Sequence, residues 1–433
     1  MKRSMAAVLG AAAAMTLVLA GCSGDDTSDA AADASTLTLA GWSLATTPEF
    51  KTLADGFHAA NPGITVQLKE YDAANYDTQM IADLAAGKAP DIYVQKTLKN
   101  FYTYQNGRQL LDVSDVAAQL GDKAGGLANY QIDGKTYAIP YRQDSWVLFY
   151  NKALFDKAGV AHPDGSWTWD DYASTSKQLT TKLKAAGSPA LGDYQHLWQS
   201  TVQGFALAQT PGADLQSGDF GYLKPYYTRA LDLQQAGAQV TFGDATTNNL
   251  TYQAQFGKQR AAMMTMGTWY IATLLKQQAG GDADVFEWGI APAPQPTAAT
   301  AGTGNTPLTF ADPTGLGINP KIGKGKVDAA KAFLAYAAGE QGAKSLAGIG
   351  ITPADTAAVA DTFFTLKGVP TDKVSRFAFA SHETKPENPV SKYTTALQNI
   401  LADLHTAVMS GSKDINTAIA EAQTRAANEV LNK

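Results

Sequence analysis

An α/β fold is predicted for most of this 433-residue chain by three observations. Strand-like and helix-like patterns alternate from Thr36 to Gln95, an apolar run in "SWVLFY" is followed at once by a helix opening, and Tyr172 to Leu275 reads mainly as helix. A βαβαβ order implies parallel strands whose crossovers cover the sheet with helices.

The elements follow in order. "TLTLAGW" alternates as a strand, and "TTPEFKTLADGFHAANPG" reads as a helix with Thr47 as N-cap, Pro48 in the first turn and Asn61-Pro62-Gly63 as the stop. Phe50, Leu53, Ala54 and Phe57 recur at helical spacing and form its buried stripe. "ITVQL" is the second strand, Tyr76 to Ala86 the second helix with Gly87 at its end, and "DIYV" after Pro90 the third strand. Asp133-Gly134 marks a hairpin turn. Thr168 and Asp171 are spaced as a capping pair at the head of another helix. The helical stretch that follows is broken at Gly187-Ser188-Pro189, Pro211-Gly212 and Gly243, and "APAPQPTAATAGTGNTP" interrupts the pattern near residue 300. From about Pro389 to Lys433 two amphipathic helices are separated by "SGSKD".

The N-terminus carries a different signal. Lys2 and Arg3 precede an uncharged run from Met5 to Ala20, a basic and then apolar arrangement too short to span a bilayer, for which roughly 20 apolar residues are needed. It ends in Leu19-Ala20-Gly21-Cys22, which resembles the lipobox of bacterial lipoproteins. That resemblance implies a signal peptide over 1–21, lipidation of Cys22 and anchoring on the extracytoplasmic face of a bacterial cell membrane. A buried inert thiol is the competing reading. Residues 22–35, poor in large apolar side chains, are expected to form a flexible tether. Cys22 is the only cysteine, so the body must fold without disulfides. About 400 residues suffice for that and suggest two domains. A net charge of −6 without basic clusters argues against nucleic acid as partner.

Four stretches resemble the extracellular solute-binding proteins of ABC importers, in particular the sugar-binding group that includes maltose-binding protein: "FHAANPGITVQLKEYDAANYDTQMIADLAAGKAPDIYV", "IDGKTYAIPYRQDSWVLFYNKALFDKAGV" with "SWTWDDY", "QFGKQRAAMMTMGTWYIATLL", and "AAKAFLAYAAGEQGAK" with "GITPA". The resemblance implies a two-lobed α/β protein, each lobe a mixed sheet flanked by helices, with a carbohydrate held in the hinged cleft between them. It further implies delivery to the transmembrane subunits of an ABC permease, no cofactor, no catalysis and a monomer. The expected lobes are 36–143 with about 293–343, and 144–292 with about 344–433, the chain crossing near Gln143, Pro292 and Ala343.

Ligands of open α/β sheets lie beyond the carboxyl ends of the strands. There a sugar requires an aromatic plate for its C–H face and planar polar groups for its hydroxyls. Trp42 and Ser43 follow the first strand, and Gln95 and Lys96 close the third. Tyr141, Gln143 and Asp144 lie at the first crossing, and Asp312 and Gly315 lie in "FADPTGLGI". Trp198 and Trp269 complete the aromatic candidates, and the resemblance favours Trp269 in "MGTWY". Lys385 matches a basic residue of the family, where many relatives carry Arg, whose bidentate fork Lys cannot reproduce. Core packing competes as the reading of each tryptophan, Trp146 above all, and turn-making or solvation as that of each polar residue. Trp167 and Trp169 are assigned to structure.

Enzymatic readings have weaker support. Ser43 in "AGWSLA" stands between a strand and a helix as a nucleophile elbow would, but Ala45 replaces the last glycine of G-x-S-x-G. Five scattered histidines offer no zinc spacing, "DADVFEWG" departs from a calcium loop, and no carboxylate pair stands out for glycoside hydrolysis. A receptor for a non-sugar solute stays open as an alternative.

Overall fold

The computed structural model describes residues 35–355 and 359–433. The expected signal peptide, Cys22 and all but the last residue of the expected tether lie outside the described residues.

Among the described residues thirteen strands run in the order β1 (Thr36–Trp42), β2 (Thr65–Tyr71), β3 (Ile92–Gln95), β4 (Gln131–Ile132), β5 (Lys135–Thr136), β6 (Ile139–Arg142), β7 (Trp146–Asn151), β8 (Leu191–Asp193), β9 (Ala261–Gly267), β10 (Trp288–Pro292), β11 (Leu308–Phe310), β12 (Thr314–Ile318) and β13 (Glu383–Lys385). They build a five-stranded sheet ordered β2-β1-β3-β12-β6 and a four-stranded sheet ordered β10-β7-β9-β8, with two small ribbons, β11-β13 and β4-β5. β1 is parallel to β2 and β3, as the βαβαβ order requires, while β12 runs antiparallel to β3 and β6. Each large sheet has its own apolar core under flanking helices. This is a mixed α/β architecture of two sheets, each with its own core.

Local chemistry explains the early elements. The helix Glu49–Ala60 buries Phe50, Leu53, Ala54 and Phe57 as the spacing predicts. Its start differs from expectation: the N-cap position falls on Pro48, so Thr47 lies one residue too early to cap the helix, and its amide donates to the Ser43 carbonyl at 2.7 Å. The helix Tyr76–Ala86 ends on Gly87 at φ 68°, a left-handed conformation that costs glycine little. Asp133 (φ 52°) and Gly134 (φ 75°) make the two-residue hairpin turn between β4 and β5. Thr168 and Asp171 form a reciprocal capping box.

The stretch from Tyr172 to Leu275 is not uniformly helical, because β8 and β9 lie within it. All seven residues of "AAMMTMG" are buried, so β9 shows no alternation of apolar and polar residues, and its Ala and Met residues read as helix formers. The chain passes from the first sheet to the second between Arg142 and Trp146 and returns between Phe310 and Thr314, later than Pro292. Residues 293–310 stay with the second core: Gln295 N and O bond Trp167 O and Trp169 N at 3.0 Å, and Phe310 stacks on Trp146 at 5.0 Å. Near Ala343 the helix Glu340–Ala347 contributes to both cores, Leu346 to the first and Ala343 and Ala347 to the second.

Candidate ligand-binding cleft

Aromatic side chains gather at the end of β9 in the second lobe. β9 ends at Gly267, and the Trp269 indole folds back over that glycine so closely that a Cβ there would lie 1.8 Å from the ring. The Gly-Thr-Trp order is therefore a packing device that turns one indole along the strand end. Trp198 sits in the loop between β8 and the helix Ser200–Gln209 and is 43% exposed, a large value for an indole. His196 lies edge-on to Trp198 at 4.5 Å, Tyr252 at 5.6 Å, and the Trp269 ring is 6.4 Å away at 47°. Trp146 is 4% exposed, meets Trp269 edge-on at 5.4 Å and supports it from the core.

The Trp198 loop is held from behind by the helix Thr394–Met409. His405 Nε2 donates to Leu197 O at 3.1 Å, and its Nδ1 accepts the Tyr227 hydroxyl at 3.0 Å. Tyr227 in turn accepts the Gln203 amide at 2.7 Å, and Gln199 donates to Gln398 Oε1 at 2.5 Å. Burial drives the His405 pKa down to about 4 and that of His196 likewise to about 4, so both rings are neutral at pH 7. Trp198 is thus displayed on a pinned loop.

The first lobe carries a separate polar group. Ser43, at φ 49°, follows Trp42 and lines a recess of about 410 Å³ with Glu70, Tyr71, Asp72 and Ala73. Glu70 Oε1 accepts the Leu44 amide at 3.0 Å. Trp42 is 8% exposed, with Phe50 and Tyr76 edge-on at 4.9 and 5.1 Å and the Lys96 ammonium 5.0 Å over its ring. Lys96 also donates to Ala73 O at 2.6 Å, and burial lowers its pKa. From the other lobe Lys276 reaches the Ala45 carbonyl at 2.5 Å.

Other expected residues take separate places. Tyr141 is 1% exposed and donates to Glu49 Oε1 at 3.0 Å, and Asp144 is buried beside Arg142 in the first crossing. Gln143 is half-buried there, its amide donating to Thr352 O at 3.2 Å. Gln95 is 1% exposed and flanks Gly317 within the first sheet, with neither amide atom hydrogen-bonded. Gly315 lies inside β12, where a Cβ would meet the Tyr130 ring at 2.8 Å. Asp312 accepts from Leu98 N, Asn388 N and Asn388 Nδ2 at 3.0, 3.1 and 2.6 Å, tying the return crossing to two neighbouring segments. Lys385 pairs with Phe310 across β11 and β13, and its carbonyl accepts the Ala311 amide. Trp42, Ser43 and Lys96 are therefore grouped in the first lobe, and Trp198 and Trp269 in the second.

Sequence reasoning did not single out Tyr252, His196, Glu70, Asp72, Glu49, Thr268 or Lys276. Thr251 caps the helix that starts at Tyr252, a local signal for the helix but none for the ring's neighbours. As for a nucleophile at Ser43, the hydrogen bonds of all five histidines go elsewhere: to Ile64 O, Asp156, Tyr194, Ala378 O and Leu197 O, with Tyr227 also on His405. Among the described residues no histidine hydrogen-bonds Ser43, so no catalytic triad is assembled there.

A family profile described as bacterial extracellular solute-binding protein matches residues 41–344. An sn-glycerol-3-phosphate-binding periplasmic protein UgpB of Yersinia pestis is 27% identical over 191 residues, 40% of each chain. Curated relatives of this kind are matched over 36% to 40% of their own length. Among solved structures, a sugar transporter from Rhizobium etli in an open conformation is 29% identical with a TM-score of 0.73, covering 90% of this chain and 98% of that one. The GacH receptor of Streptomyces glaucescens, solved unliganded and with acarbose, superposes with a TM-score of 0.69 at 20% identity, over 91% and 98% of the two chains. With the profile spanning well over half of its length, the chain belongs to the bacterial extracellular solute-binding protein family.

Proposed function

We propose that the protein is the lipid-anchored, extracytoplasmic substrate-binding component of an ABC importer and that its ligand is a carbohydrate. The observation that carries this reading is the second-lobe cluster of Trp198, Trp269 and Tyr252 around a half-exposed indole, and the polar recess of Ser43, Glu70 and Asp72 in the first lobe is consistent with it. An indole face complements the C–H face of a sugar ring, while carboxylate, hydroxyl and carbonyl groups complement its hydroxyls. The sugar-transporter likeness in Rhizobium etli supports the same ligand class. The two lobes are proposed as residues 36–143 with the return through β12 up to about 343, and 144–310 with about 344–433. Closure on the ligand would present a shape that the permease reads, and a monomer suffices for that. Lipidation at Cys22 would keep the receptor near its permease at a raised effective concentration.

The test is a panel of mono- and oligosaccharides with glycerol 3-phosphate alongside, read by tryptophan fluorescence and thermal shift. A sugar that quenches or shifts the emission and raises the melting temperature is the expected result. Response to glycerol 3-phosphate with none to any sugar would overturn the carbohydrate reading. Cys22→Ala is expected to leave ligand binding intact and to release or misprocess the protein in cells.

A further inference from the structure

Buried charge gathers where the chain first passes between the lobes. Arg142, the last residue of β6, directs one guanidinium nitrogen to Glu49 Oε2, inside the first lobe, and brings Nε within 2.7 Å of Asp144 Oδ2. Glu49, Arg142 and Asp144 are 0%, 8% and 3% exposed. Asp144 belongs to the second lobe's side of the crossing: its Oδ1 accepts the Thr268 hydroxyl at 3.0 Å, and the Ser145 amide donates to the same hydroxyl at 3.2 Å. Thr268 is the neighbour of Trp269. Thr352, from a second crossing segment, donates to Thr268 Oγ1 at 3.1 Å, and its carbonyl accepts the Gln143 amide at 3.2 Å.

Burying two carboxylates and one guanidinium is a poor route to stability, since apolar side chains of similar volume commonly do as well or better. Their location supplies another reason. Arg142–Glu49 stays within one lobe and Asp144–Thr268 within the other, whereas Arg142–Asp144 reaches across Gln143, inside the segment that joins the two sheets. That contact is short but not aligned for N–H donation, unlike a settled structural hydrogen bond. We propose that the Arg142–Asp144 ion pair is a latch on the interlobe hinge, a positioning contact that holds the lobes in the arrangement seen here and transmits their rotation through Thr268 to the Trp269 wall. A ligand that bridges the lobes then works against or with this pair, so its strength sets affinity without touching the ligand. The latch rests on the two-lobed architecture and not on the ligand being a sugar.

The experiment measures the interlobe distance directly. Spin labels at Thr46→Cys and Ala279→Cys, both exposed, straddle the Lys276–Ala45 contact in a full-length Cys22→Ala background. Asp144→Asn keeps an acceptor for Thr268 and removes the charge facing Arg142. It is expected to move the distance distribution to longer values, whereas Thr352→Val, which breaks a neutral bond of the same network, is expected to lower the melting temperature and leave the distribution in place. A folded Asp144→Asn protein whose distribution coincides with the parent overturns the latch, as does an equal shift in Thr352→Val. Should Asp144→Asn fail to fold, Glu49→Gln decides: it frees Arg142 for Asp144 and is expected to narrow the distribution, and an unchanged distribution overturns the proposal.

Discussion

Acid should loosen the support behind the Trp198 loop, and His405 makes the effect calculable. Its pKa falls from 6.5 to about 4 because the ring is buried between Tyr227 and Leu197. A base whose folded pKa is depressed gives stability that is present above the unfolded value and lost as pH falls through the folded one. Between pH 7 and pH 5 the unfolded chain takes up a proton at this position that the folded chain refuses, and the folded state loses about 2 kcal/mol, rising to about 3 kcal/mol below pH 4. For a lobe of this size that is about 4–8 °C of melting temperature at pH 5. His405→Gln retains a donor for Leu197 O and an acceptor for Tyr227 but cannot titrate. Calorimetric melts of parent and variant at pH 7 and pH 5 isolate the site, because His196 and every carboxylate contribute equally to both. The variant is expected to lose less on acidification by the amount just given, whatever its stability at pH 7. Equal losses in the two proteins would refute the assignment of a buried neutral imidazole.

Three further outcomes are expected. Trp198→Ala should weaken the binding of whichever solute the panel identifies by about 2 kcal/mol, roughly thirtyfold, as loss of a central aromatic contact does, while changing the melting temperature little; fluorescence titration and calorimetry check both halves. Gly267→Ala places a Cβ inside the Trp269 ring, so the indole must swing out; near-UV circular dichroism should change and binding should fall, whereas an unaltered spectrum would contradict the packing. Thr168→Ala removes one arm of the capping box and should cost about 1 kcal/mol in a denaturant melt without affecting ligand affinity.

Elements whose signals are local could be read from the sequence. The helix Tyr76–Ala86 was delimited by Gly87, the Asp133-Gly134 turn by its positive φ demand, and the Thr168 cap by side-chain spacing. β9 was hidden because complete burial erases the alternation that marks a strand. The resemblance singled out "MGTWY", and the structure shows how that segment packs, with the Trp269 ring folded over Gly267. Tyr252 and His196 were not, since what makes them part of the wall is their distance from Trp198, set by a loop and a helix far apart in sequence. Gln95 and Lys96 show the same limit from the other side: neighbours at one strand end, they point to different surroundings, one beside Gly317 and the other over Trp42.

The strand order of the first sheet also has a bearing on how the chain acquires its structure. β6 is joined to the rest of that sheet only through β12, which closes at Ile318, roughly three quarters of the way along the chain. The second sheet, β10-β7-β9-β8, has all its strands by Pro292. In a chain that emerges from its N-terminus, the sheet that begins first can therefore close only after the last strand of the other sheet has emerged, so the two sheets do not close in the order in which they start. Until β12 arrives, β3 and β6 each leave unpaired the edge that it later covers. The long-range insertion of one central strand is thus a built-in delay on folding.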